Sequence, residues 1–230
     1  MGPDFLKPIA PLGDKIQCLS LTKDYFYKNN ISPEKSQILK VFTKFEDIPI
    51  QYMDQVHGNK LEIMLSHSSL PIDETDSLFS STSNLALGVL TADCLPIALS
   101  KHDGSEFAIL HAGWRGLLSG VIESTLTSFT KGCSDVSAWI GPSISQKNYE
   151  VGNDLYESFV NKDDESESNF KEKGYDKWLF SLHGEAKRIL GKYNINVDLS
   201  SVCTFESESL FSYRRDHTEN RILSIIWRNE

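Results

Sequence analysis

Residues 85–116 read L-A-L-G-V-L-T-A-D-C-L-P-I-A-L-S-K-H-D-G-S-E-F-A-I-L-H-A-G-W-R-G. Two apolar runs without a helical period, residues 85–91 and 95–99, predict short buried strands. The Asp103-Gly104 pair tolerates the positive φ angles of a tight turn, so it predicts a hairpin leading into a third strand at residues 107–110. The stretch therefore predicts three consecutive strands near the centre of a sheet.

The rest of the chain alternates between strand and helix patterns. Further strands are predicted at residues 16–22, 48–53, 61–65, 136–140, 197–204 and 222–227. Helices are predicted after Ser32-Pro33-Glu34 and at residues 117–131, 154–160 and 178–193. This alternation, without a break in composition, predicts one α/β domain over residues 1–230.

Two segments are predicted to lack regular structure. Residues 1–15 contain three prolines, which predict an extended or loosely ordered start of the chain. Residues 161–169 are charged and rich in serine, which predicts a solvated loop.

The overall composition is that of an ordinary globular protein. The chain of 230 residues is 40% hydrophobic and 24% charged, and 23 Lys and Arg against 32 Asp and Glu give a net charge of −9. This balance argues against a nucleic-acid partner, because binding to a phosphate backbone needs a basic surface. No apolar run reaches the roughly 20 residues of a membrane span, and no signal-peptide pattern is present. We therefore expect a cytoplasmic protein with reduced cysteines and no membrane partner.

Three residues at or near the ends of predicted strands could hold a metal ion. Cys94 follows the first central strand, His111 ends the third, and His57 follows the strand at residues 48–53. A thiolate and two imidazoles form a typical zinc set, and three protein ligands leave one tetrahedral position for water or substrate. The residue types alone leave a buried cysteine and two unrelated histidines as the alternative.

The turn after His111 has the features of an anion site. Gly113 and Gly116 flank the start of the predicted helix, whose N-terminal N–H groups favour an anion, and Arg115 could grip phosphate. A structural ion pair is the alternative for Arg115. Arg214 and Arg215, among aromatic residues, could hold an anionic or flat ligand, or they could pair with nearby acids on a surface turn.

Six ordered motifs resemble those of the YfiH-like family, also called the laccase-domain or polyphenol oxidase family. They are QVHG at 55–58, TADCLPI at 91–97, HAGWRG at 111–116, IGPSI at 140–144, YEVG at 149–152 and FSYRRD at 211–216. The resemblance runs from about residue 50 to the C-terminus. It implies the mixed-sheet α/β sandwich of that family, and its zinc ligands map onto His57, Cys94 and His111.

The resemblance also implies a metal-dependent enzyme of purine nucleosides. Phosphorolysis of adenosine or inosine would give the free base and ribose 1-phosphate, and adenosine deaminase and methylthioadenosine phosphorylase activities are further expectations. The partners would then be a purine nucleoside and phosphate. Catalytic roles would fall to Cys94, His111, His57 and Arg115, and phosphate or substrate binding to Arg115, Gly113, Gly116, Arg214 and Arg215.

Three alternatives stay open at this point. A copper-dependent polyphenol oxidase follows from the older family name, with Cu²⁺ in place of Zn²⁺. A cysteine amidohydrolase that edits peptidoglycan precursors would use Cys94 as nucleophile and His111 as base. The third is a binding module without turnover. The sequence does not distinguish a monomer from a homodimer.

The chain departs from the family pattern outside the expected metal ligands. The Gly-Asp and Asn-Arg pairs expected before QVHG are missing from residues 20–50, and an aspartate expected in the stretch 178–182 is also missing. The family's Thr-Gly-Arg appears here as Glu219-Asn220-Arg221. These changes concern the choice of substrate more than the metal site.

Overall fold

The structure is a computed structural model and describes residues 3–230. Its strands are β1 (Phe5–Leu6), β2 (Ile16–Leu21), β3 (Lys44–Phe45), β4 (Ile48–Gln51), β5 (Leu61–Met64), β6 (Ser77–Ser80), β7 (Ala86–Thr91), β8 (Leu95–Lys101), β9 (Phe107–Ala112), β10 (Val136–Ile140), β11 (Glu150–Gly152), β12 (Phe170–Gly174), β13 (Lys177–Phe180), β14 (Asn196–Leu199) and β15 (Ile222–Arg228). Its helices are α1 (Lys23–Lys28), α2 (Lys35–Val41), α3 (Trp114–Ser119), α4 (Val121–Leu126), α5 (Asn153–Lys162), α6 (Leu182–Gly191) and α7 (Tyr213–Asp216). Two short 3₁₀ helices occupy Gln146–Asn148 and Asp164–Asn169.

Two mixed sheets form the centre of the molecule. One has the strand order β1-β2-β15-β7-β4-β3 and the other has the order β14-β10-β8-β9-β6-β5. The central strands β7, β8 and β9 are buried along their whole length, which explains why their sequences show apolar runs rather than alternation. The C-terminal half of the chain also forms a small third sheet, with the strand order β11-β13-β12.

The two large sheets pack face to face, with helices on their outer sides. In β7, Leu87 and Val89 enter the core between the sheets, whereas Leu90 joins the cluster that includes helix residues Phe26 and Ile38. In β9 the alternation repeats, because Phe107 and Ile109 face the inter-sheet core. The opposite face of the second sheet packs on apolar residues of α4 and α6. The layer order is therefore helix, sheet, sheet, helix.

This architecture confirms the predicted mixed-sheet α/β sandwich. The predicted strands are present as β2, β4, β5, β7, β8, β9, β10, β14 and β15, several of them shorter than predicted. Within residues 3–230 no helix is both long enough and apolar enough to cross a membrane. The prediction of one domain over residues 1–230 stays a prediction.

Residues 3–15, within the segment predicted to be extended or loosely ordered, make tertiary contacts. Strand β1 pairs antiparallel with β2, and the Thr22 amide donates to the Asp4 carbonyl at 3.1 Å. Leu12 is buried against the inter-sheet core. The prolines interrupt regular structure, as expected, but tertiary contacts hold the segment in place. Residues 1 and 2 lie outside the described part of the chain.

Three predictions about secondary structure need correction. The solvated loop at 161–169 is instead the end of α5 and a 3₁₀ helix, held by the buried carboxylate of Glu185. The helix predicted at 178–193 begins only at Leu182, because Ser181 caps it and the aromatic run before it pairs as β13. The helix predicted at 117–131 divides into α3 and α4 at Gly120, whose φ is 89°.

The strand registers bring the candidate site residues together. Antiparallel pairing of β8 with β9 sets Pro96 opposite His111, so Cys94, just before β8, lies at the same edge. Pairing of β6 with β9 sets Ser77 opposite Leu110, which places Asp76 beside His111. In the other sheet, β15 pairs Ile222 with Thr91, the last residue of β7. The candidate site residues therefore lie together at one end of the sandwich.

We predict that Glu185→Ala lowers the free energy of unfolding by about 3 kcal/mol, because it leaves buried polar partners without their acceptor. Glu185 is 2% exposed and accepts from Ser166, Asn169 and Arg188, the last at 2.6 Å. Urea denaturation followed by circular dichroism measures the change. Lys187→Ala, on the exposed side of α6, is the control; equal midpoints for the two variants would contradict the prediction.

Candidate metal centre

His57, Cys94 and His111 converge at one end of the sandwich. One potential ligand atom from each lies within 4.8 Å of the other two. The two imidazole rings are 4.6 Å apart between centroids and nearly perpendicular, at 77°. His111 is buried, Cys94 is half-buried and His57 is exposed, so the cluster is closed on the protein side and open on the other.

A single carboxylate positions two of the three residues. Asp76 is fully buried, and its Oδ1 accepts a hydrogen bond from His111 Nδ1 at 2.7 Å. The same carboxylate accepts from the backbone amides of Val56, His57 and Gly58, at 3.1, 3.1 and 2.7 Å. Asp76 therefore fixes both the loop that carries His57 and the orientation of the His111 ring.

The arrangement shifts the protonation of the cluster. Burial alone would raise the pKa of the Cys94 thiol, but His111 and His57 outweigh it through charge and hydrogen bonds and lower that pKa to about 6. Burial would lower the pKa of His111, but the Cys94 thiolate and Asp76 raise it. For Asp76, hydrogen bonds from His111 and the loop amides overcome burial and lower the pKa. The cluster therefore favours a thiolate, which is the form that binds metals.

The donor set fits a tetrahedral zinc ion. In tetrahedral sites with ordinary zinc–nitrogen and zinc–sulfur bonds, ligand atoms lie about 3.3 to 3.6 Å apart, within the limit seen here. Because Asp76 occupies His111 Nδ1, the Nε2 atom of that ring is free to bind. The three residues would thus hold the ion with an outer-sphere carboxylate and one open position. The same thiolate and imidazole ligands are also acceptable to copper.

The two glycines of the HAGWRG motif leave space for these residues. A Cβ atom at Gly113 would lie 3.0 Å from Cys94 Sγ and 3.1 Å from His57 Cδ2. At Gly116 it would lie 3.2 Å from the Gly58 carbonyl oxygen. Both glycines therefore permit close approach of the metal-ligand loop. Gly113 is the N-cap of α3 and Gly116 lies within that helix. Because α3 has only six residues, the helix dipole predicted to favour an anion is small.

A cavity of about 430 Å³ opens next to the cluster. Its size suits a small organic ligand. Aromatic and cationic side chains form much of its wall, and the lining residues are Lys35, Gln55, His57, Leu90, Thr91, Ala92, Asp93, Cys94, His111, Trp114, Arg115, Tyr149, Tyr213, Arg214 and Arg221. In this acidic protein the cavity is a local concentration of positive charge.

The predicted arginines have different environments. Arg115 is exposed, lies 4.4 Å from the Trp114 ring and forms no ion pair with any residue in the range 3–230. Arg214 stacks over Tyr149 at 5.1 Å and donates to the Glu150 carbonyl. Both line the cavity. Either is free to contact an anion bound there.

Arg215 does not line the cavity. Its guanidinium donates to the carbonyls of Thr204, Phe205, Ser207 and Leu210 and to the Asp216 carboxylate. These contacts occupy its donors and hold the 204–210 loop. This geometry favours a structural role for Arg215.

The local sequence does not reveal the role of several residues of the site. The polar cluster around Asp76 fits a solvated turn and a structural role beside the site equally well, because nothing local reveals its contact with His111. Lys35, Tyr149 and Arg221 were not predicted as site residues, although Tyr149 belongs to the YEVG motif. Asp93 is buried with a φ of 94°, and it accepts from Thr204 and from the Arg214 amide. It connects the Cys94 turn to the FSYRRD segment.

We predict that Gly113→Ala weakens zinc binding at least tenfold, because the new methyl group displaces Cys94 or His57. Competition with a chromophoric chelator measures the affinity. Gly191→Ala is the control, since a Cβ at Gly191 meets no atom within 4 Å. Wild-type zinc affinity in Gly113→Ala would contradict the proposed packing.

We predict that Asp76→Asn weakens zinc binding about 10- to 100-fold, because its amide nitrogen would face backbone N–H groups or the His111 ring instead of accepting from them. Competition with the chromophoric chelator measures the zinc affinity, and circular dichroism verifies that the variant folds. Asp73→Asn, at an exposed position nearby, serves as the control. Unchanged affinity in Asp76→Asn would show that the carboxylate does not organise the site.

Known proteins resemble this chain in sequence. The model of the family described as "Multi-copper polyphenol oxidoreductase laccase" matches residues 28–229. "Purine nucleoside phosphorylase YfiH" of Escherichia coli is 36% identical over 180 residues, covering 76% of this chain and 72% of that protein. A "Purine nucleoside phosphorylase" of Haemophilus influenzae is 37% identical over 180 residues, covering 76% and 73%.

Solved structures share the fold. The Neisseria meningitidis protein NMB0706 has a TM-score of 0.82 at 26% identity and covers 99% of this chain and 100% of its own. YlmD from Geobacillus stearothermophilus has a TM-score of 0.85 at 19% identity, covering 100% and 98%, which shows the fold alone. The sequence match over most of the chain and the shared sandwich lead to one conclusion: this protein belongs to the YfiH-like, laccase-domain family.

Proposed function

We propose that this protein is a zinc-dependent purine nucleoside phosphorylase. The observation that carries the proposal is the convergence of His57, Cys94 and His111 beside a cavity with a cationic wall. The names of the Escherichia coli and Haemophilus influenzae relatives support the same activity. The substrates would be adenosine or inosine together with phosphate, and the location would be cytoplasmic. The protein could be a monomer or a homodimer.

The residues of the site have distinct roles in this proposal. A zinc ion held by the three ligands would supply Lewis-acid chemistry at its open position. Arg115 and Arg214 bind the phosphate, because both line the cavity and keep donors available. Gly113 and Gly116 contribute through the space that they leave, rather than through direct phosphate contacts.

Aromatic residues complete the site. Burial, followed by the charge of Cys94, raises the pKa of the Tyr149 phenol, so its hydroxyl stays protonated and can donate a hydrogen bond. Trp114 and Tyr213 present rings to the cavity, on which a purine can stack. Adenosine deamination and methylthioadenosine phosphorolysis are further activities that we propose for the same site.

A cysteine hydrolase is the second candidate. Asp76 orients His111, and His111 in turn lowers the pKa of Cys94, an arrangement similar to that of cysteine hydrolases. Amide cleavage in peptidoglycan precursors would be its activity. His57 has no role in such a mechanism but completes a zinc set, which favours the metal enzyme. Activity that persists with a chelator and disappears on thiol alkylation would favour the hydrolase.

The copper oxidase alternative has less support from the ligands. A multicopper centre needs several metal sites. Within the described residues 3–230, His57, Cys94 and His111 form the single group of three or more potential ligands. A single copper ion at that site could still support weak oxidation. Dioxygen uptake with a phenol, together with the copper content, tests this alternative.

We predict that His57→Ala and Cys94→Ala each lose bound zinc and lower phosphorolysis by at least about a hundredfold, because two ligands hold the ion poorly. Elemental analysis measures the metal. Release of ribose 1-phosphate from inosine and adenosine, with and without phosphate, measures the activity.

His67→Ala and Cys203→Ala are the controls, because neither residue belongs to the cluster. Wild-type turnover by a metal-free Cys94→Ala protein would refute the metal mechanism. Release of the base at an equal rate without phosphate would refute phosphorolysis.

A further inference from the structure

We propose that Lys35 and Arg221 form a second anion-binding wall of the cavity, and that the site accepts nucleosides phosphorylated on the ribose. Nucleoside 5′-monophosphates are the substrate class. This inference deepens the proposed nucleoside activity and rests on it. The two residues are called the Lys35–Arg221 wall below.

Backbone contacts hold the Lys35–Arg221 wall in place. The Lys35 amide donates to the Glu219 carbonyl at 3.2 Å, and the Arg221 amide donates to the Pro33 carbonyl at 2.9 Å. Glu34 and Asn220, between these contacts, form an antiparallel bridge. The wall therefore stands on an isolated β-bridge that joins the start of α2 to the residues just before β15. It is not a pair of independent surface side chains.

The two side chains can exchange their present partners for a ligand. Lys35 Nζ lies 3.6 Å from Asp54, whose side chain is 57% exposed. Arg221 lies 3.6 Å from Glu219, whose side chain is 74% exposed. Ion pairs of this length and exposure contribute little to stability. Arg221 Nη1 also donates to the Thr218 and Asn220 carbonyls, which preorganises the guanidinium without neutralising it.

The cavity has more cationic side chains than one bound phosphate needs. Four cationic side chains line it, namely Lys35, Arg115, Arg214 and Arg221, and Asp93 is the one carboxylate among the lining residues. Both Asp93 oxygens already accept, from Thr204 and from the Arg214 amide. A nucleoside is neutral, so the orthophosphate of phosphorolysis would be the sole anion. Two of the cations suffice for it.

The two pairs of cations belong to different structural elements. Arg115 belongs to the HAGWRG motif, which begins with the ligand His111. The Arg214 amide donates to Asp93, the neighbour of Cys94. Both arginines therefore lie towards the metal ligands. The Lys35–Arg221 wall comes from the segments 33–35 and 219–221. In phosphorolysis an orthophosphate oxygen bonds to C1′ of the ribose as the bond from C1′ to the base nitrogen breaks and the base leaves, so a 5′-monophosphate would give the free base and ribose 1,5-bisphosphate. A second phosphate must therefore be attached at an atom remote from C1′. The 5′ oxygen is such a position.

The test compares inosine with inosine 5′-monophosphate on the zinc-loaded full chain. Calorimetry at constant ionic strength measures the affinity of both, and the ratio of their kcat/KM values is measured alongside. We expect the monophosphate to bind at least tenfold tighter. Lys35→Gln and Arg221→Gln should each lower the ratio of monophosphate to inosine affinity about tenfold, as expected for a lost charge-assisted hydrogen bond.

Lys40→Gln is the matched control, because it removes the same charge from an exposed position on α2. A monophosphate that binds no tighter than inosine, or a ratio equal in Lys35→Gln and Lys40→Gln, would overturn the inference. Loss of the preference in saturating orthophosphate would also overturn it, since the ester would then occupy the phosphate position of Arg115 and Arg214. If Arg221→Gln does not fold, Lys35→Gln decides.

The two proposals fail in different ways. If inosine is cleaved with phosphate but the monophosphate has no advantage, the proposed function stands and the Lys35–Arg221 wall is wrong. If the monophosphate binds preferentially through the wall but no ribose 1-phosphate forms from inosine, the anion site stands and the proposed activity is wrong.

Discussion

The buried carboxylate of Asp76 is the contact on which the candidate site depends. It binds the His111 ring and three consecutive backbone amides of the His57 loop at once. A fully buried carboxylate must have such partners, because an unpaired charge in the core is very unfavourable. The hydrogen bonds that stabilise the buried charge of Asp76 therefore also fix the positions of His57 and His111. Cys94 completes the cluster from the neighbouring strand.

The sandwich explains why the site lies at one end of the molecule. Strands β6, β8 and β9 bring Asp76, Cys94 and His111 to one edge of the second sheet, and β7 and β15 of the first sheet end beside them. The apolar core between the sheets leaves no room for polar chemistry. Loops at the strand ends supply the aromatic and cationic wall instead. Rigid strands thus position the ligands, while the loops define the cavity.

The same three groups suit two kinds of chemistry. Asp76, His111 and Cys94 could activate a thiolate nucleophile, and with His57 they form a zinc set. His57 therefore distinguishes the two mechanisms. The position of Gly113 also favours the zinc site, because the space that this glycine leaves is bounded by Cys94 on one side and His57 on the other. A nucleophilic cysteine would need open access to its substrate, rather than a second imidazole packed nearby.

Patterns local in sequence were sufficient for most strands, for the fold class and for the three candidate ligands. Apolar runs are local, and the six motifs carried the family resemblance. The loop predicted at 161–169 failed because its order depends on a distant partner, the carboxylate of Glu185. The contacts of Arg215 with carbonyls of the 204–210 loop were equally invisible in the local sequence. The role of Asp76 and the pairing of Lys35 with Arg221 arise in the same way. Hydrogen bonds between segments far apart in the chain form only when the sheets set the register of those segments. Such bonds therefore produce no periodic pattern in the sequence.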